Sequence, residues 1–435
     1  MSIDLSPYGW KGCSVREDLR NLRASLPKWN HLHVLRTSTT SASLRLPNGP
    51  FYDVSGSAFM PAYRKGPVYN RGSYSTLYKS GRALYNCRPS ATKGCVDLVL
   101  ATPLHECAIK EISLHVTPTE EASTPRTRHD VYEEEINAIL YEAVIHLLVR
   151  TTLSAVGHPS FAPRFYEVVA DGEMPLDSPT RIRSLWCCME FLEGASLDIA
   201  CKRALVPLKS AKTAEERAVL QAKNEAFVMD ISVQIAYVLH VLQRDLRFHH
   251  RDLKLNNVFR RTTPSTQTIV VPTSPPRVWT CTNDLVLLDF GFSCIACGTD
   301  QAASPRATLL GAGSWFTQDD DCCKEGRDLA QFLYSLHCHF PLSDYVGATM
   351  FARFRDVMTA TTAKGPVSLL NGFTTDGDPC AVGKKPLYHK GVYCFLKRDD
   401  VEVPTLVPAT FLATLLPDRP AQKIDPPAAP PSLAP

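Results

Sequence analysis

The chain has 435 residues, of which 44% are hydrophobic and 21% charged, and its formal net charge is +3. That length holds one large domain or two to three ordinary ones, and the composition is that of a soluble globular protein rather than a disordered or collagen-like chain. So small a net charge argues against nucleic acid or a membrane surface as a partner.

The first residues carry no basic stretch followed by an apolar run, so no signal peptide is expected. No stretch is read as reaching the ~18 apolar residues of a membrane helix. The 15 cysteines are scattered and odd in number, which predicts reduced thiols and an intracellular, cytoplasmic location. Cys294 and Cys297 have C-x-x-C spacing and Cys322-Cys323 follow, but the second ordinary pair that a zinc site needs is missing.

Residues 1–62 read as an N-terminal extension rich in Ser, Thr and Pro, with one short helix expected near 15–26. The run Cys107-Ala108-Ile109-Lys110-Glu111-Ile112 alternates as a strand does. Over 130–149, Ile136, Ile139, Leu140, Val144 and Leu147 recur at helical spacing. Residues 186–192 form a compact apolar run that ends in a turn at Glu193-Gly194. A second helix is expected over 226–242, with Phe227, Ile231, Ile235, Val238, Leu239 and Leu242 on one broad face. A short buried strand follows at 285–288, and an apolar helix opens near 329–336. Polar segments at 117–129 and 261–283 read as surface loops. The Pro- and Ala-rich end, 417–435, reads as a disordered tail.

Two segments carry the chemistry. His250-Arg251-Asp252-Leu253-Lys254-Leu255-Asn256-Asn257 sets an aspartate five positions before an asparagine, and Leu287-Leu288-Asp289-Phe290-Gly291 sets an aspartate between an apolar strand and a glycine. Phosphoryl transfer needs a group that orients the attacking hydroxyl and oxygen ligands that hold Mg²⁺ on the phosphates. Asp252 suits the first task, and Asn257 with Asp289 the second. The text H-R-D-L-K-x-x-N followed by D-F-G resembles the catalytic core of the eukaryotic protein kinase family.

That resemblance implies an α+β, two-lobed fold. It has a β-rich N-lobe with its linking segment over 63–193 and a helical C-lobe over 194–416 that diverges after about residue 340. It also implies ATP and Mg²⁺ as cofactors, Ser/Thr-containing proteins as substrates, and no nucleic-acid or membrane partner. Ala108-Ile109-Lys110 resembles the family's A-x-K strand, whose lysine contacts the phosphates and pairs with a helical glutamate. Glu142 is the preferred partner over the run Glu133-Glu134-Glu135, which reads as a solvated face. Met189, Glu190 and Leu192 fall in a segment that resembles the link between the lobes, where backbone groups meet adenine. Lys254 is implied to offset charge on the transferred phosphoryl group, which points to Ser/Thr specificity.

The glycine loop departs from the family pattern. Asn70-Arg71-Gly72-Ser73-Tyr74-Ser75-Thr76-Leu77 keeps only Gly72, with Leu77 in the valine's place. The other candidate, around Gly94, also keeps one glycine. No A-P-E triplet follows Asp289; Gly313-Ser314-Trp315-Phe316 resembles the substrate turn instead. Ser304, Thr299 and Thr308 are candidate phosphosites. Asp328 is expected to brace the catalytic loop, to cap its helix, or both. Kinases of large DNA viruses show similarly eroded glycine loops. The leading expectation is an active Ser/Thr kinase; the alternative is a pseudokinase that binds nucleotide or acts as a scaffold.

Overall fold

Strands dominate the first part of the chain and helices the second. A computed structural model describes residues 59–72, 75–89, 96–114, 128–172, 182–262, 267–295, 310–311, 326–357, 359–362, 365–368, 401–402 and 407–416. The helix expected at 15–26, the Gly94 turn, Cys297, Cys322, Cys323, the three candidate phosphosites, the 313–316 turn and the tail lie outside these residues.

The fold is mixed α+β, built on antiparallel sheets. Its main sheet contains β1 (Phe59–Arg64), β2 (Val68–Arg71), β3 (Thr76–Pro89), β4 (Val96–Ser113), β5 (Phe165–Gly172) and β6 (Ile182–Glu190). They pair in the order β1-β3-β4-β6-β5, with β2 also on β3. β1 runs across residue 62, so the sheet starts inside the expected extension. Period-two alternation splits β4 between two apolar clusters. Cys107 and Ile109 pack with Tyr63, Val169, Trp186 and Cys188 on one face. Ile112 lies on the other, among Leu185, Cys187 and the helix α1 (Arg128–Ala155), which contributes Ile136, Ile139, Leu140, Ala143 and Leu147. Lys110 belongs to this second face by its register, and that is what aims it at α1.

The helical part holds the larger core. After β7 (Gly194–Ser196) come α2 (Leu197–Leu205) and α3 (Ala214–Leu246). Thr213 caps α3 by accepting from Glu216 N, and the Glu216 carboxylate accepts in turn from Lys212 N, so the helix starts twelve residues before its expected apolar stretch. Its C-cap, Arg247, is left-handed at φ 49°. Ile231, Ile235, Val238, Leu239 and Leu242 are buried as the spacing predicts. The segment Glu135–Ala155 of α1 and the whole of α3 are long and apolar enough to cross a membrane, but 61% and 72% of their apolar windows are buried within the protein, as core helices require.

The small sheet β11-β8-β7, with β8 at Val258–Arg261 and β11 at Leu285–Leu287, brackets an insertion. That insertion is not the surface loop expected for 261–283. β9 (Thr268–Val271) and β10 (Arg277–Thr280) form a hairpin whose Ile269 and Val271 are fully buried in the main core. Asp230 on α3, 1% exposed, holds it: its carboxylate accepts from Trp279 Nε1, Thr282 N and Oγ1, Asn283 N and Nδ2, and Gln234 Nε2, at 2.6–3.1 Å. Next come β12 (Cys294–Ile295), β13 (Leu310–Gly311), α4 (Arg327–His339) and α5 (Ala348–Val357). A three-stranded sheet of β14 (Thr359–Thr362), β15 (Gly365–Ser368) and β16 (Val401–Glu402) follows, then α6 (Pro408–Leu415). α6 buries Phe411, Leu412 and Leu415 in the main core, and Arg277 of the hairpin donates to Leu416 O at its end.

Candidate active site

Lys110 joins residues far apart in sequence. Its Nζ lies 2.7 Å from Glu142 Oε1 on α1 and 2.9 Å from Asp289 Oδ1, beyond β11. Burial works against a charged lysine here, but the Asp289 and Glu142 carboxylates outweigh it and raise the Lys110 pKa, so the ammonium is kept. The Lys110 charge in turn holds Asp289 below the usual carboxylate range, while burial pushes Glu142 up against the pull of the lysine. Cys187, opposite Lys110 on β6, is pushed up to about 12 by burial and is a neutral thiol. Glu142 is therefore the glutamate that reaches Lys110. The backbone at Gly291 passes close by: a Cβ there would sit 3.3 Å from Glu142 Oε2 and 3.4 Å from Asp289 Oδ1.

The 249–257 segment is held from two sides. α4 presents Asp328, Gln331 and Ser335 along one face, at helical spacing. Asp328 accepts from His250 N at 2.7 Å and Arg251 N at 2.9 Å, Gln331 from Leu253 N at 3.2 Å, and Ser335 from Leu255 N at 3.1 Å. The N-cap of α4 is Gly326, so the Asp328 carboxylate braces the loop rather than capping its helix. On the other side, Leu288 N donates to Asn257 O, and His249 and Cys294 exchange two backbone bonds. Arg251 and Asp289 sit at φ 64° and 60°. For side chains other than glycine this left-handed backbone costs on the order of 1 kcal/mol or more, and the surrounding bonds hold it in place.

Within this frame Asp252, Lys254 and Asn257 converge. Lys254 Nζ is 2.7 Å from Asp252 Oδ2, and Asn257 Nδ2 donates to Asp252 Oδ2 at 3.0 Å and to Asp252 O at 2.8 Å. Those two bonds commit the Asn257 nitrogen and turn its oxygen away as an acceptor. Lys254 and His250 also help to lower the Asp289 pKa, which ties the two clusters together electrostatically. Among the described residues no group of three or more His, Cys, Asp or Glu could by itself hold a metal ion. The donors present, one carboxylate and one amide oxygen, fit instead a Mg²⁺ that takes its remaining ligands from phosphate and water.

The other expected contacts lie on the main sheet and just after β6. Ala108 is buried opposite Met189, and Leu77 pairs opposite Lys110. Gly72 lies in the β2–β3 turn, where its N donates to Ser75 O at 2.8 Å. The Gly94 region joins β3 to β4 beyond the pair Pro89↔Val96. Val96 is fourteen positions from Lys110 along an extended strand, roughly 45 Å away. The turn beside the lysine is thus the one containing Gly72. The Glu190 side chain is engaged elsewhere: it accepts from Arg261 Nη1 at 2.6 Å and Arg164 N at 2.9 Å, and Arg261 is the main charge that lowers its pKa against burial. Its backbone N is committed as well, donating to Arg164 O at 2.7 Å. Leu192 packs with Phe259, Val286 and Leu288.

Sequence reading passed over Phe259, Gln331, Ser335 and His146. Phe290 is buried among His146, His250 and Phe248, with ring centroids 4.9, 5.7 and 6.1 Å away. His146 also meets Phe165 at 5.1 Å and donates from Nε2 to Pro163 O. A column of rings thus joins β5, α1 and the segment carrying Asp289. The signal was available: Phe259 follows Asn257 at the period of β8, and His146 falls one helical turn after Glu142. No protein-family model matches the chain, and no curated protein sequence matches it.

Proposed function

We propose that the protein is an ATP-dependent kinase that transfers the γ-phosphate of ATP to Ser or Thr hydroxyls of protein substrates. In this reading the fold is two-lobed: the β1–β6 sheet with α1 forms the smaller lobe, and α2–α6 with the small sheets form the larger. The observation that carries the reading is Lys110, held between Glu142 and Asp289 beside the Asp252–Lys254–Asn257 cluster. Kinase-type phosphoryl transfer uses a lysine paired with a helical glutamate, a metal-binding aspartate and an aspartate that meets the substrate hydroxyl, and this site offers a residue for each role.

Lys110 offers a fixed ammonium to the α- and β-phosphates, positioned by Glu142. Asp252 orients the substrate hydroxyl and accepts its proton as the oxygen attacks. Lys254 offsets charge on the phosphoryl group in flight. Asp289 and Asn257 would hold Mg²⁺, which neutralises phosphate charge when bound. Leu77, Ala108, Met189, Leu192 and Phe259 would supply apolar walls for a purine ring, and the Gly72 turn would cover the phosphates.

The single glycine of that turn favours a second reading, a pseudokinase that binds nucleotide without turnover. Transfer from γ-labelled ATP with Mg²⁺, on the protein itself and on a generic basic protein, separates the two. Label on Ser or Thr that is lost in Asp252→Asn supports the kinase. Folded, ATP-binding protein that transfers nothing supports the pseudokinase.

A further inference from the structure

Away from the candidate active site, an open surface groove of about 750 Å³ lies between α2 and the first turns of α3, lined by Ile199, Lys202, Arg203, Val206, Leu220 and Glu216, among others. Ile199, Lys202, Arg203 and Val206 recur at helical spacing and make one face. Of the groove's apolar lining, Ile199 is 42% exposed, while Val206 and Leu220 are half-buried and form its floor.

Charge decides what suits it. Lys202 and Arg203 stand exposed on the rim; Lys209, further along, is paired with Asp344 at 3.8 Å and does not line the groove. The one acid in the lining, Glu216, accepts from Lys212 N at 2.8 Å at the start of α3 and keeps its negative charge, so Lys202 and Arg203 leave the lining one positive charge in excess. The rim therefore presents positive charge over an apolar floor. We propose that this groove docks a short acidic segment of a partner protein, one that carries leucine-like anchors between its carboxylates. The anchors would fill the floor between Ile199, Val206 and Leu220, and the carboxylates would meet Lys202 and Arg203. The inference goes beyond the kinase reading and does not rest on it, because docking needs neither nucleotide nor Asp252.

The test is equilibrium binding of fluorescein-labelled peptides to the full chain without nucleotide. One peptide alternates Asp/Glu pairs with leucines; the controls replace the acids with Ser and Gln, or the leucines with Ser. The acidic leucine peptide should bind saturably and weaken with added salt. Each control should bind about tenfold more weakly, as should the Lys202→Glu/Arg203→Glu protein. Ile199→Ser, a second surface change, should lose affinity for the acidic leucine peptide. Equal binding of the neutral control, unchanged binding by the charge-reversed protein, or no binding at about 1 mM peptide would overturn the proposal.

Discussion

His146 shows how one side chain couples chemistry to packing. It is buried between Phe165 and Phe290, and burial lowers its pKa to about 4 despite its bond to Pro163 O; Lys110 and Arg150 push the same way, while Glu190 opposes them. The folded protein therefore binds this proton less readily than the unfolded chain, whose histidine titrates near 6.5. The stabilisation is fully present above about pH 6.5 and declines as pH falls toward 4. It is worth up to about 3 kcal/mol at 1.4 kcal/mol per pKa unit. Urea denaturation at pH 7 and pH 5 should show about 2 kcal/mol of this loss in wild type and a smaller loss in His146→Phe. Equal losses in the two proteins would mean that the ring does not titrate as described.

Elements are held by polar contacts that hydrophobic periodicity does not reveal. Asp328 carries two buried N–H groups of the 249–257 segment, and Asp328→Ala would leave both without their acceptor. A cost of about 2–5 kcal/mol in chemical denaturation is expected; a loss nearer 1 kcal/mol would be that of an ordinary helix cap. Asp230→Ala should free the β9–β10 hairpin from α3 at a cost of about 3–5 kcal/mol. Limited proteolysis should then cut within 262–283 before the rest of the chain; an intact hairpin would argue that Ile269 and Val271 hold it alone. The same features mark where the sequence ceased to be legible. The apolar periods of α1, α3 and α4 and the alternation around Lys110 were readable because burial on one face imposes them. The hairpin was not, because four-residue strands in Thr- and Pro-rich text carry too few positions for a period. Gln331, Ser335 and Asp230 were missed because a lone polar residue on an apolar face discloses its partner only once distant backbone arrives beside it.

Across the whole molecule, residues up to 179 positions apart meet at one lysine. The motifs at 250–257 and 287–291 were legible because their chemistry lies in local spacing. Glu142 is the preferred partner in the sequence because apolar residues follow it at helical spacing, whereas the placement of the Gly72 turn beside Lys110 and of the β3–β4 connection far from it comes from sheet register, which is long-range. The central claim is that these residues form one Mg²⁺-dependent phosphoryl-transfer site. Its most direct test is single-turnover transfer of γ-labelled phosphate to Ser or Thr, with and without Mg²⁺, in wild type and Asp289→Asn of equal thermal stability. The account predicts Mg²⁺-dependent transfer by wild type and a loss of about a hundredfold or more in the variant. Transfer that persists unchanged in Asp289→Asn, or that ignores Mg²⁺, would contradict it.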